Sequence, residues 1–231
     1  MKTIGLIGGM SWESTASYYE QINQEIKKRL GGLHSGKILL HSVDFDEIEK
    51  MQQAGEWEEA GNELARIAKN LKNAGVEGIA LCTNTMHKVA NHITDTIKIP
   101  FLHIGDATAK DIKKEEIDNI LLLGTRFTMQ ENFYKEVLQN RDIQVMIPNK
   151  DECQIIDKII FEELCLGIIN KSSKNEYIKI INHAKEINPK LQGVILGCTE
   201  IGLLINQTDT NLKLFDTTTL HVKNIVDFML S

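Results

Sequence analysis

No segment of this 231-residue chain approaches the roughly eighteen consecutive apolar residues of a membrane-spanning helix, so the sequence predicts no membrane span. No basic cluster interleaves with aromatic residues, and 32 acidic residues outnumber 26 basic ones, which argues against nucleic-acid binding. The opening run, 1–10, is too short and too interrupted by glycines to be a secretion signal. We expect it to form a first β-strand.

The cysteine spacing excludes two further kinds of site. The chain has four cysteines, and no two of them have the spacing of a zinc finger or of a Cys-x-x-Cys motif, so we expect neither a metal site nor a redox dithiol. Free thiols are typical of a reducing compartment, which predicts a cytoplasmic protein. The G-x-G-x-x-G fingerprint of a dinucleotide-binding turn is also missing after the first predicted strand.

Apolar runs of strand length alternate with segments of helical period along the whole chain. Such alternation predicts an α/β protein with parallel sheets that helices cover on both faces. The runs 120–123 and 194–196 suit strands buried on both sides. The expected strands are 2–7, 37–43, 76–82, 99–103, 119–124, 143–147, 193–197 and 212–215. The expected helices are 14–30, 57–73, 85–93, one capped by Asp106, 129–138, 153–166, 177–187 and a last one to about residue 230.

A weak internal repeat divides the chain into two related halves. Three pairs of segments match in the same order and at similar offsets: 6–9 with 122–125, Thr83 with Cys198, and 103–108 with 214–218. We therefore predict two similar, doubly wound parallel-sheet domains related by a pseudo-twofold axis.

The division of the chain follows from this repeat. No Pro/Ser-rich linker separates the halves, so we expect a packed pair of domains, one formed by 1–98 plus 208–231 and the other by 99–207. In open parallel sheets, ligands bind beyond the carboxyl ends of the strands. Two such halves facing each other would enclose a cleft, and we expect the active site there.

The residue best suited to proton transfer is Cys198. It stands at the end of a predicted strand, and Thr199 and Glu200 then open a helix. Because a helix N-terminus favours the thiolate, we expect Cys198 to be a reactive base rather than a packing residue. Cys153 and Cys165 fall inside predicted helices and are interpreted as packing residues.

A second strand end has the sequence Cys82-Thr83-Asn84-Thr85. Side chains alternate along a strand, so Cys82 and Thr83 should point to opposite sides. Asn84 or Thr85 could simply cap the following helix. Alternatively, exposed N–H groups and hydroxyls hold a carboxylate there. The second interpretation is favoured in combination with Cys198, because two such strand ends would place a proton-transfer group on either side of a bound molecule.

Two other strand-end turns contain candidate binding groups. Gly8-Gly9-Met10-Ser11 predicts a tight turn whose backbone N–H groups face an anion. In the turn 124–129, Thr125 can donate to a carboxylate, and we expect Thr128 to cap the following helix. Arg126 could pair with a substrate or be solvated, and the sequence favours neither.

Three histidines lie near these turns. His87 follows Thr83 by four residues, so it either shares that helix face or is a surface histidine, and the surface interpretation is favoured. His103 and His221 flank the two repeated turns, where they could polarise the cysteine or the threonine. The spacing alone does not assign them a role.

Four motifs, in order and spanning nearly the whole chain, form a specific set. They are Gly-Gly-Met-Ser-Trp-Glu-Ser-Thr at 8–15, Cys-Thr-Asn-Thr-Met-His-Lys at 82–88, Leu-Leu-Gly-Thr at 122–125 and Gly-Cys-Thr-Glu-Ile at 197–201. This set resembles the aspartate/glutamate racemase family, most closely its bacterial broad-specificity amino-acid racemase branch. The resemblance implies two similar α/β domains with the active site between them, no pyridoxal phosphate or other cofactor, and commonly a homodimer.

The resemblance also implies which residues perform the chemistry. The family's usual pair is one cysteine in Cys-Asn-Thr and one in Gly-Cys-Thr-Glu, and these positions fall on Thr83 and Cys198. We expect the Cys198 thiolate to take the α-proton of an amino acid and Thr83 to serve the opposite face, directly or through water. A thiol's reference pKa of about 8.5 is nearer neutrality than that of a hydroxyl, so the enzyme should be asymmetric. The expected substrate-binding residues are Met10 (backbone), Gln52, Asn84, Thr85, Thr125 and Thr199.

The substrate side chain is a second point of departure from the family. Relatives that take aspartate are expected to hold its distal carboxylate with two basic side chains. Here the first of the two segments has only Lys50, and Cys165 stands about where a lysine is expected. Gln52 could instead hydrogen-bond a neutral or acidic side chain. We therefore expect a broad or neutral amino-acid substrate range.

Two alternatives stay open at this point. The same cleft could decarboxylate small dicarboxylates or isomerise them between cis and trans forms. The missing thiol at Thr83 could instead indicate a catalytically weak protein that binds an amino acid.

Overall fold

The computed structural model describes all residues, Met1–Ser231, and they form two compact units. The first unit contains Met1–Ile104 and Thr218–Ser231, and the second contains Gly105–Thr217. The sequence instead places the boundaries after residues 98 and 207, and that division of the chain into two domains stays a prediction. No helix is both long and apolar enough to cross a membrane.

Strands and helices alternate as the sequence predicts. The strands are β1 (Ile4–Gly8), β2 (Ile38–Ser42), β3 (Gly78–Leu81), β4 (Phe101–Leu102), β5 (Asn119–Gly124), β6 (Gln144–Met146), β7 (Gly193–Gly197) and β8 (Lys213–Asp216). The helices are α1 (Trp12–Leu30), α2 (Phe45–Ala54), α3 (Trp57–Asn73), α4 (Ala90–Thr96), α5 (Ile104–Lys114), α6 (Arg126–Gln130), α7 (Asn132–Gln139), α8 (Lys150–Glu162), α9 (Lys171–Ile187), α10 (Ile201–Leu204) and α11 (Thr217–Leu230). Short 3₁₀ turns occupy Thr85–Val89, Leu164–Leu166 and Gln207–Asp209.

The two sheets have the same topology. The strand order is β2-β1-β3-β4 in the first unit and β6-β5-β7-β8 in the second, and all paired strands are parallel. Each sheet is wound in both directions from its central pair of strands. This pair is β1 and β3 in the first unit and β5 and β7 in the second. The predicted α/β fold with two similar halves is therefore confirmed.

Helices cover both faces of the first sheet. Ile4 and Leu6 of β1 belong to a cluster with buried residues of α1 and α11, whereas Ile7 of β1 and Leu81 of β3 belong to a cluster with buried residues of α3. This division follows from the alternation of side chains along a strand. Burying each large aliphatic side chain contributes about 2 kcal/mol. The C-terminal helix α11 is thereby part of the first unit.

The second sheet is buried just as deeply. Leu121 and Leu123 of β5 and Val194 and Leu196 of β7 pack in one cluster with residues of α8 and α9. Every residue of β7 is buried. Burial on both faces explains why the two central strands appear in the sequence as apolar runs without alternation.

Two helical segments differ from the expectation. The helix α2 was not expected, because Phe45–Ala54 is rich in acidic residues and has only one fully apolar buried position, Ile48. The helix expected over 129–138 is instead α6 followed by α7. The break falls at Glu131, whose backbone is extended (φ −82°, ψ 165°).

Other helix starts differ as well. The helix α9 begins at Lys171, six residues before the expected start, and the helix expected over 85–93 is a 3₁₀ turn followed by α4. The helix α8 begins three residues early, because Asn149 and Glu152 form a capping box in which each side chain binds the other's backbone N–H. The prediction that Asp106 caps a helix is wrong. The helix α5 already begins at Ile104, so Asp106 lies in its first turn, where it is exposed and pairs with Arg141.

Candidate functional site

All the predicted site residues except Gln52 lie where the winding of each sheet reverses. In the first unit the residues directly after β1 are Gly9–Ser11, and those after β3 are Cys82–Thr85. In the second unit, Thr125 follows β5 and Cys198–Glu200 follow β7. The carboxyl ends of adjacent strands wound in opposite directions form the ligand-binding crevice of an open α/β sheet. Each unit is described in turn below.

A buried thiol and a buried carboxylate are paired at the end of β7. Cys198 Sγ donates a hydrogen bond of 2.9 Å to Glu200 Oε2, and Thr199 Oγ1 donates to the same oxygen at 2.7 Å. Cys198 is 8% exposed and Glu200 is 3% exposed. We call these three residues the thiol–carboxylate cluster. Its carboxylate can accept the thiol proton directly.

The expected cause of Cys198 reactivity is wrong. We expected the N-terminus of the following helix to favour the thiolate, but α10 has only four residues. Burial, followed by the negative charge of Glu200, instead raises the pKa of Cys198 well above its usual value. Cys198 is therefore a thiol at rest, and its thiolate, once formed, is a strong base.

The turn after β5 places a second hydroxyl in this unit. Thr125 is the N-cap of α6 and its Oγ1 accepts a hydrogen bond from the Thr128 backbone N–H at 3.3 Å, so Thr125 and not Thr128 is the cap. Thr125 is 7% exposed. The Arg126 side chain is exposed and its guanidinium lies 4.8 Å from the Phe127 ring. Its position next to solvent favours the solvated interpretation of Arg126.

Thr83 lies at the end of the central pair in the first unit. Cys82 is fully buried in the cluster that faces α1 and α11, and burial raises the pKa of its thiol. Thr83, the next residue, is 7% exposed and belongs to neither apolar cluster of this unit. The Thr83 hydroxyl makes no hydrogen bond to another protein group. The contact of Thr83 with the His87 side chain is made by the Thr83 backbone carbonyl and not by the hydroxyl. The hydroxyl is therefore available to a ligand.

The neighbouring polar residues are buried beside Thr83. Asn84 is 3% exposed and Thr85 is 6% exposed, and Asn84 stands at the N-cap of the 3₁₀ turn without making a side-chain cap hydrogen bond. The capping interpretation of Asn84 is therefore wrong. The roles predicted for both residues in binding a carboxylate stay predictions.

The glycine turn after β1 differs in one respect from the expectation. Gly9 has φ +93°, and a Cβ there would overlap the backbone of Val43, so the turn requires glycine. The Gly9 N–H donates to Thr15 Oγ1 at 2.7 Å. It is therefore not available to bind an anion, in contrast to the role that the sequence predicts for the N–H groups of this turn. Met10 is buried at 4% exposure.

Gln52 and Lys50, both on α2, have opposite environments. Gln52 is 4% exposed and its Nε2 donates to Met86 Sδ at 3.0 Å. The Lys50 side chain is 72% exposed and pairs with Asp46 one helical turn away. Of the two, only Gln52 is directed into the unit.

Three histidines form a group that the sequence did not predict, in which His87 and His221 are buried and His103 is partly buried. His87 Nδ1 lies 2.8 Å from the Thr83 carbonyl oxygen, and its Nε2 accepts from the Ile104 N–H at 3.2 Å. The His87 ring centroid is 4.4 Å from that of His103 and 6.1 Å from that of His221. The surface interpretation of His87 is therefore wrong. The i,i+4 spacing to Thr83 was the available signal.

No group of three or more His, Cys, Asp or Glu side chains is arranged to hold a metal ion. The polar groups at the strand ends are instead hydroxyls, an amide, a thiol and a carboxylate: Thr83, Thr85, Thr125, Thr199, Asn84, Cys198 and Glu200. In each unit, groups of these kinds can bind a carboxylate or transfer a proton.

Comparison with known proteins identifies the family. The Asp/Glu/hydantoin racemase family matches residues 7–225. A Yersinia pestis structure assigned to the Asp/Glu racemases is 49% identical, with a TM-score of 0.92 over 100% of both chains. An aspartate racemase homologue from Pyrococcus horikoshii is 34% identical, with a TM-score of 0.85 over 100% of both chains. The broad specificity amino-acid racemase RacX of Bacillus subtilis is 22% identical over 99% of this chain and 98% of its own. The chain belongs to the Asp/Glu/hydantoin racemase family.

Family membership confirms the resemblance seen in the sequence. The protein is an amino-acid racemase that does not depend on pyridoxal phosphate, and hence an isomerase. Its substrates are amino acids, as the family to which it belongs indicates. The residues of the site, the reaction mechanism and the breadth of the substrate range stay predictions.

Proposed function

We propose that the protein racemises amino acids with an unequal pair of proton-transfer residues, Cys198 and Thr83, and that it accepts side chains without an acidic group. The observation that carries the proposal is the 2.9 Å hydrogen bond from Cys198 Sγ to the buried Glu200 carboxylate. This bond supplies the thiol with a proton acceptor inside the protein. No protein group hydrogen-bonds the Thr83 hydroxyl, so this second residue has no such activator.

The first half of the reaction begins at the thiol–carboxylate cluster. The Cys198 proton moves to Glu200 Oε2 and leaves a thiolate. The thiolate takes the α-proton of the bound amino acid, so the Cα–H bond breaks, an S–H bond forms and the electron pair stays on the substrate. Because burial raises the pKa of Cys198, its thiolate is a stronger base than an exposed thiolate would be. A strong base is needed because the α-proton of an amino acid is only weakly acidic.

The second half occurs on the other face of the α-carbon. The carbanion takes a proton from the Thr83 hydroxyl or from a water that this hydroxyl binds. Solvent then returns a proton to the Thr83 side, and the proton held by Glu200 or Cys198 returns to solvent. A hydroxyl is a poor proton donor and acceptor compared with a thiol, so this half is the slower one.

Donors around the substrate carboxylate stabilise the carbanion. Negative charge spreads from the α-carbon to the carboxylate as the proton leaves, and preorganised donors hold it there. We assign this role to the donors of Asn84, Thr85 and Thr125 and to the Met10 backbone. Thr199 takes part through its backbone, because its hydroxyl proton is directed at Glu200.

Gln52 supports a broad or neutral substrate range. It is the buried polar residue on the inner face of α2, whereas the one basic residue nearby, Lys50, is exposed and paired with Asp46. A neutral amide can donate to or accept from a side chain, and it does not require a carboxylate there. We infer that uncharged amino acids are turned over at least as well as aspartate and glutamate.

Solvent deuterium exchange tests the mechanism. Each common L- and D-amino acid is incubated with the enzyme in D₂O, loss of the α-proton is followed by NMR and inversion by chiral chromatography. Cys198→Ala should lose both exchange and inversion. Thr83→Ala should lose inversion but keep exchange for the one enantiomer whose proton Cys198 takes. Cys153→Ala, which changes a packing cysteine of α8, is the matched control and should keep both activities.

The same experiment separates the other functions. Retained exchange in Cys198→Ala would remove the central role of that residue. A product lacking the carboxylate would indicate a decarboxylase, and a geometric isomer of a dicarboxylate would indicate a cis–trans isomerase. Thermal stabilisation by an amino acid without exchange would indicate a binding protein.

We also infer a cytoplasmic homodimer. None of the four cysteines forms a disulfide, which is the state that a reducing compartment favours. The dimer is the assembly implied by the sequence resemblance. Light scattering of the purified protein at several concentrations should give twice the 26.1 kDa chain mass, and a monomer at all of them would contradict this inference.

A further inference from the structure

The tautomer of His87 is determined by its two hydrogen bonds. A backbone N–H can only donate, so His87 Nε2, which lies 3.2 Å from the Ile104 nitrogen, must be unprotonated. The ring proton is therefore on Nδ1. Nδ1 donates to the Thr83 carbonyl oxygen at 2.8 Å. The ring thus connects the end of β3 to the first residue of α5.

The surroundings of His87 keep its ring neutral. The residue is 3% exposed, and burial lowers its pKa well below the usual value, with smaller contributions from His103 and His221. His221 is neutral as well, because its Nε2 donates to the Leu102 carbonyl at 2.7 Å and its Nδ1 accepts from Tyr18. A neutral ring keeps both of its bonds, whereas a protonated one would lose the bond to Ile104.

The bond to the Thr83 carbonyl controls the direction of the Thr83 hydroxyl. Since that hydroxyl makes no hydrogen bond to the protein, its direction depends on the backbone at Thr83 and on χ1 alone. The χ1 angle of a β-branched residue is stiff and is coupled to the backbone. The backbone in turn leaves the sheet after Leu81 and enters a 3₁₀ turn at Thr85. In this short connection, the carbonyl that accepts the hydrogen bond from His87 is that of Thr83 itself, the residue proposed to transfer the proton.

We propose that His87 is a positioning residue for inversion, because its neutral Nδ1–H tautomer holds the Thr83 backbone so that the hydroxyl faces the substrate. The proposal rests on the proposed role of Thr83. It assigns His87 to one half of the reaction only, the half that requires Thr83. Proton removal by Cys198 does not depend on it.

Two matched variants separate the two bonds of His87. His87→Asn keeps an amide N–H near the position of Nδ1 and hence the bond to Thr83, but it loses the bond to Ile104. His87→Gln keeps an oxygen near the position of Nε2 and hence the bond to Ile104, but it loses the bond to Thr83. Both replacements introduce a neutral amide, so the effect of burying an amide on protein stability should be the same in the two variants.

The readout is the ratio of inversion to exchange in D₂O, measured for the enantiomer whose proton Cys198 takes. His87→Gln should lower inversion about 10²-fold, as expected for a displaced reacting group, while exchange and KM change little. His87→Asn should keep the ratio of the wild-type enzyme. A variant that merely destabilises the fold would lower inversion and exchange together. A parallel loss of both in His87→Gln, or an unchanged ratio, would overturn the role of His87.

Thr83→Ala is measured alongside, so that the two proposals fail separately. Selective loss of inversion in Thr83→Ala with no such loss in His87→Gln overturns the role of His87 alone. Retained inversion in Thr83→Ala overturns both proposals. If His87→Gln does not fold, ¹⁵N NMR of the histidine-labelled wild-type enzyme decides. A neutral Nδ1–H ring from about pH 5 to 8 supports the proposal, and an Nε2–H tautomer or a titration in that range overturns it.

Discussion

Cys198 Sγ and Glu200 Oε2 are joined by a 2.9 Å hydrogen bond in a buried part of the second unit. The bond has two opposite effects on the thiol. The Glu200 carboxylate is an acceptor for the thiol proton. Its negative charge also raises the pKa of Cys198 further than burial alone does. In the proposed mechanism, the thiol–carboxylate cluster holds the proton on sulfur at rest and passes it to the Glu200 carboxylate when a substrate binds.

Glu200→Gln separates these two effects. We expect kcat to fall about 10²-fold, because a positioned general base contributes at least that much. At the same time the pKa of Cys198 should fall, because the negative charge is removed. Chiral chromatography measures kcat, and the ultraviolet absorbance of the thiolate across pH measures the pKa. Glu162→Gln, an exposed carboxylate of α8, is the control and should change neither. An unchanged kcat in Glu200→Gln would remove its role as proton acceptor.

Thr83→Cys should make the two halves of the reaction more equal. We expect kcat to rise about tenfold in the slower direction, because a thiol exchanges protons near neutral pH far more readily than a hydroxyl does. The ratio kcat/KM must stay equal for the two enantiomers, since their free energies are equal, so the change appears in kcat and KM separately. Initial rates from pure L- and pure D-substrate measure it.

Cys82→Ala is the control for the register of this strand end. The Cys82 side chain packs in the apolar cluster facing α1 and α11, so its loss should lower stability without changing the ratio of the two kcat values. If Cys82→Ala abolished activity while Thr83→Ala did not, the assignment of Thr83 would be wrong by one residue.

Much of the fold followed from hydrophobic periodicity. The bounds of α3, β5 and β7 agree with the sequence prediction, because long amphipathic helices and strands buried on both faces have the clearest patterns. The start of α8 depends instead on a capping box between Asn149 and Glu152, which is a side-chain contact outside the apolar pattern. The acidic helix α2 packs through few apolar residues, so its pattern was too weak to predict it.

The site was only half predictable for a related reason. Strand ends followed by small polar residues made Thr83, Asn84 and Cys198 candidate site residues, because the carboxyl ends of parallel strands are binding positions in this class of fold. Their roles stay predictions. The partners of these residues depend on side-chain direction. Glu200 turns back to Cys198 two residues away, and His87 reaches the backbone of Ile104 only because β4 lies beside β3.

Gln52→Arg should shift the substrate preference toward acidic amino acids. A buried guanidinium can bind a distal carboxylate through two charge-assisted hydrogen bonds, so we expect KM for aspartate to fall about tenfold and KM for a neutral amino acid to rise. The variant should also be less stable, because a charge replaces an amide at a position that is 4% exposed.

Lys50→Gln, on the same helix, is the control for this shift. Its side chain is exposed and pairs with Asp46, so KM for acidic and neutral substrates should stay the same. Loss of aspartate turnover in Lys50→Gln would show that Lys50, rather than Gln52, faces the substrate side chain.

His221 makes the stability of the protein sensitive to acid. Burial lowers the pKa of His221 from 6.5 to about 4. Between these two values the unfolded chain binds a proton that the folded protein does not, so stability is complete above the unfolded value and decreases as the pH falls toward 4. The contribution of His221 should be a loss of about 2 kcal/mol in the free energy of unfolding from pH 7 to 5. His221→Gln keeps a donor for the Leu102 carbonyl but does not titrate, so urea unfolding of this variant should show a smaller loss. His34→Gln, at an exposed position, should keep the wild-type slope, and an equal slope in His221→Gln would contradict the prediction.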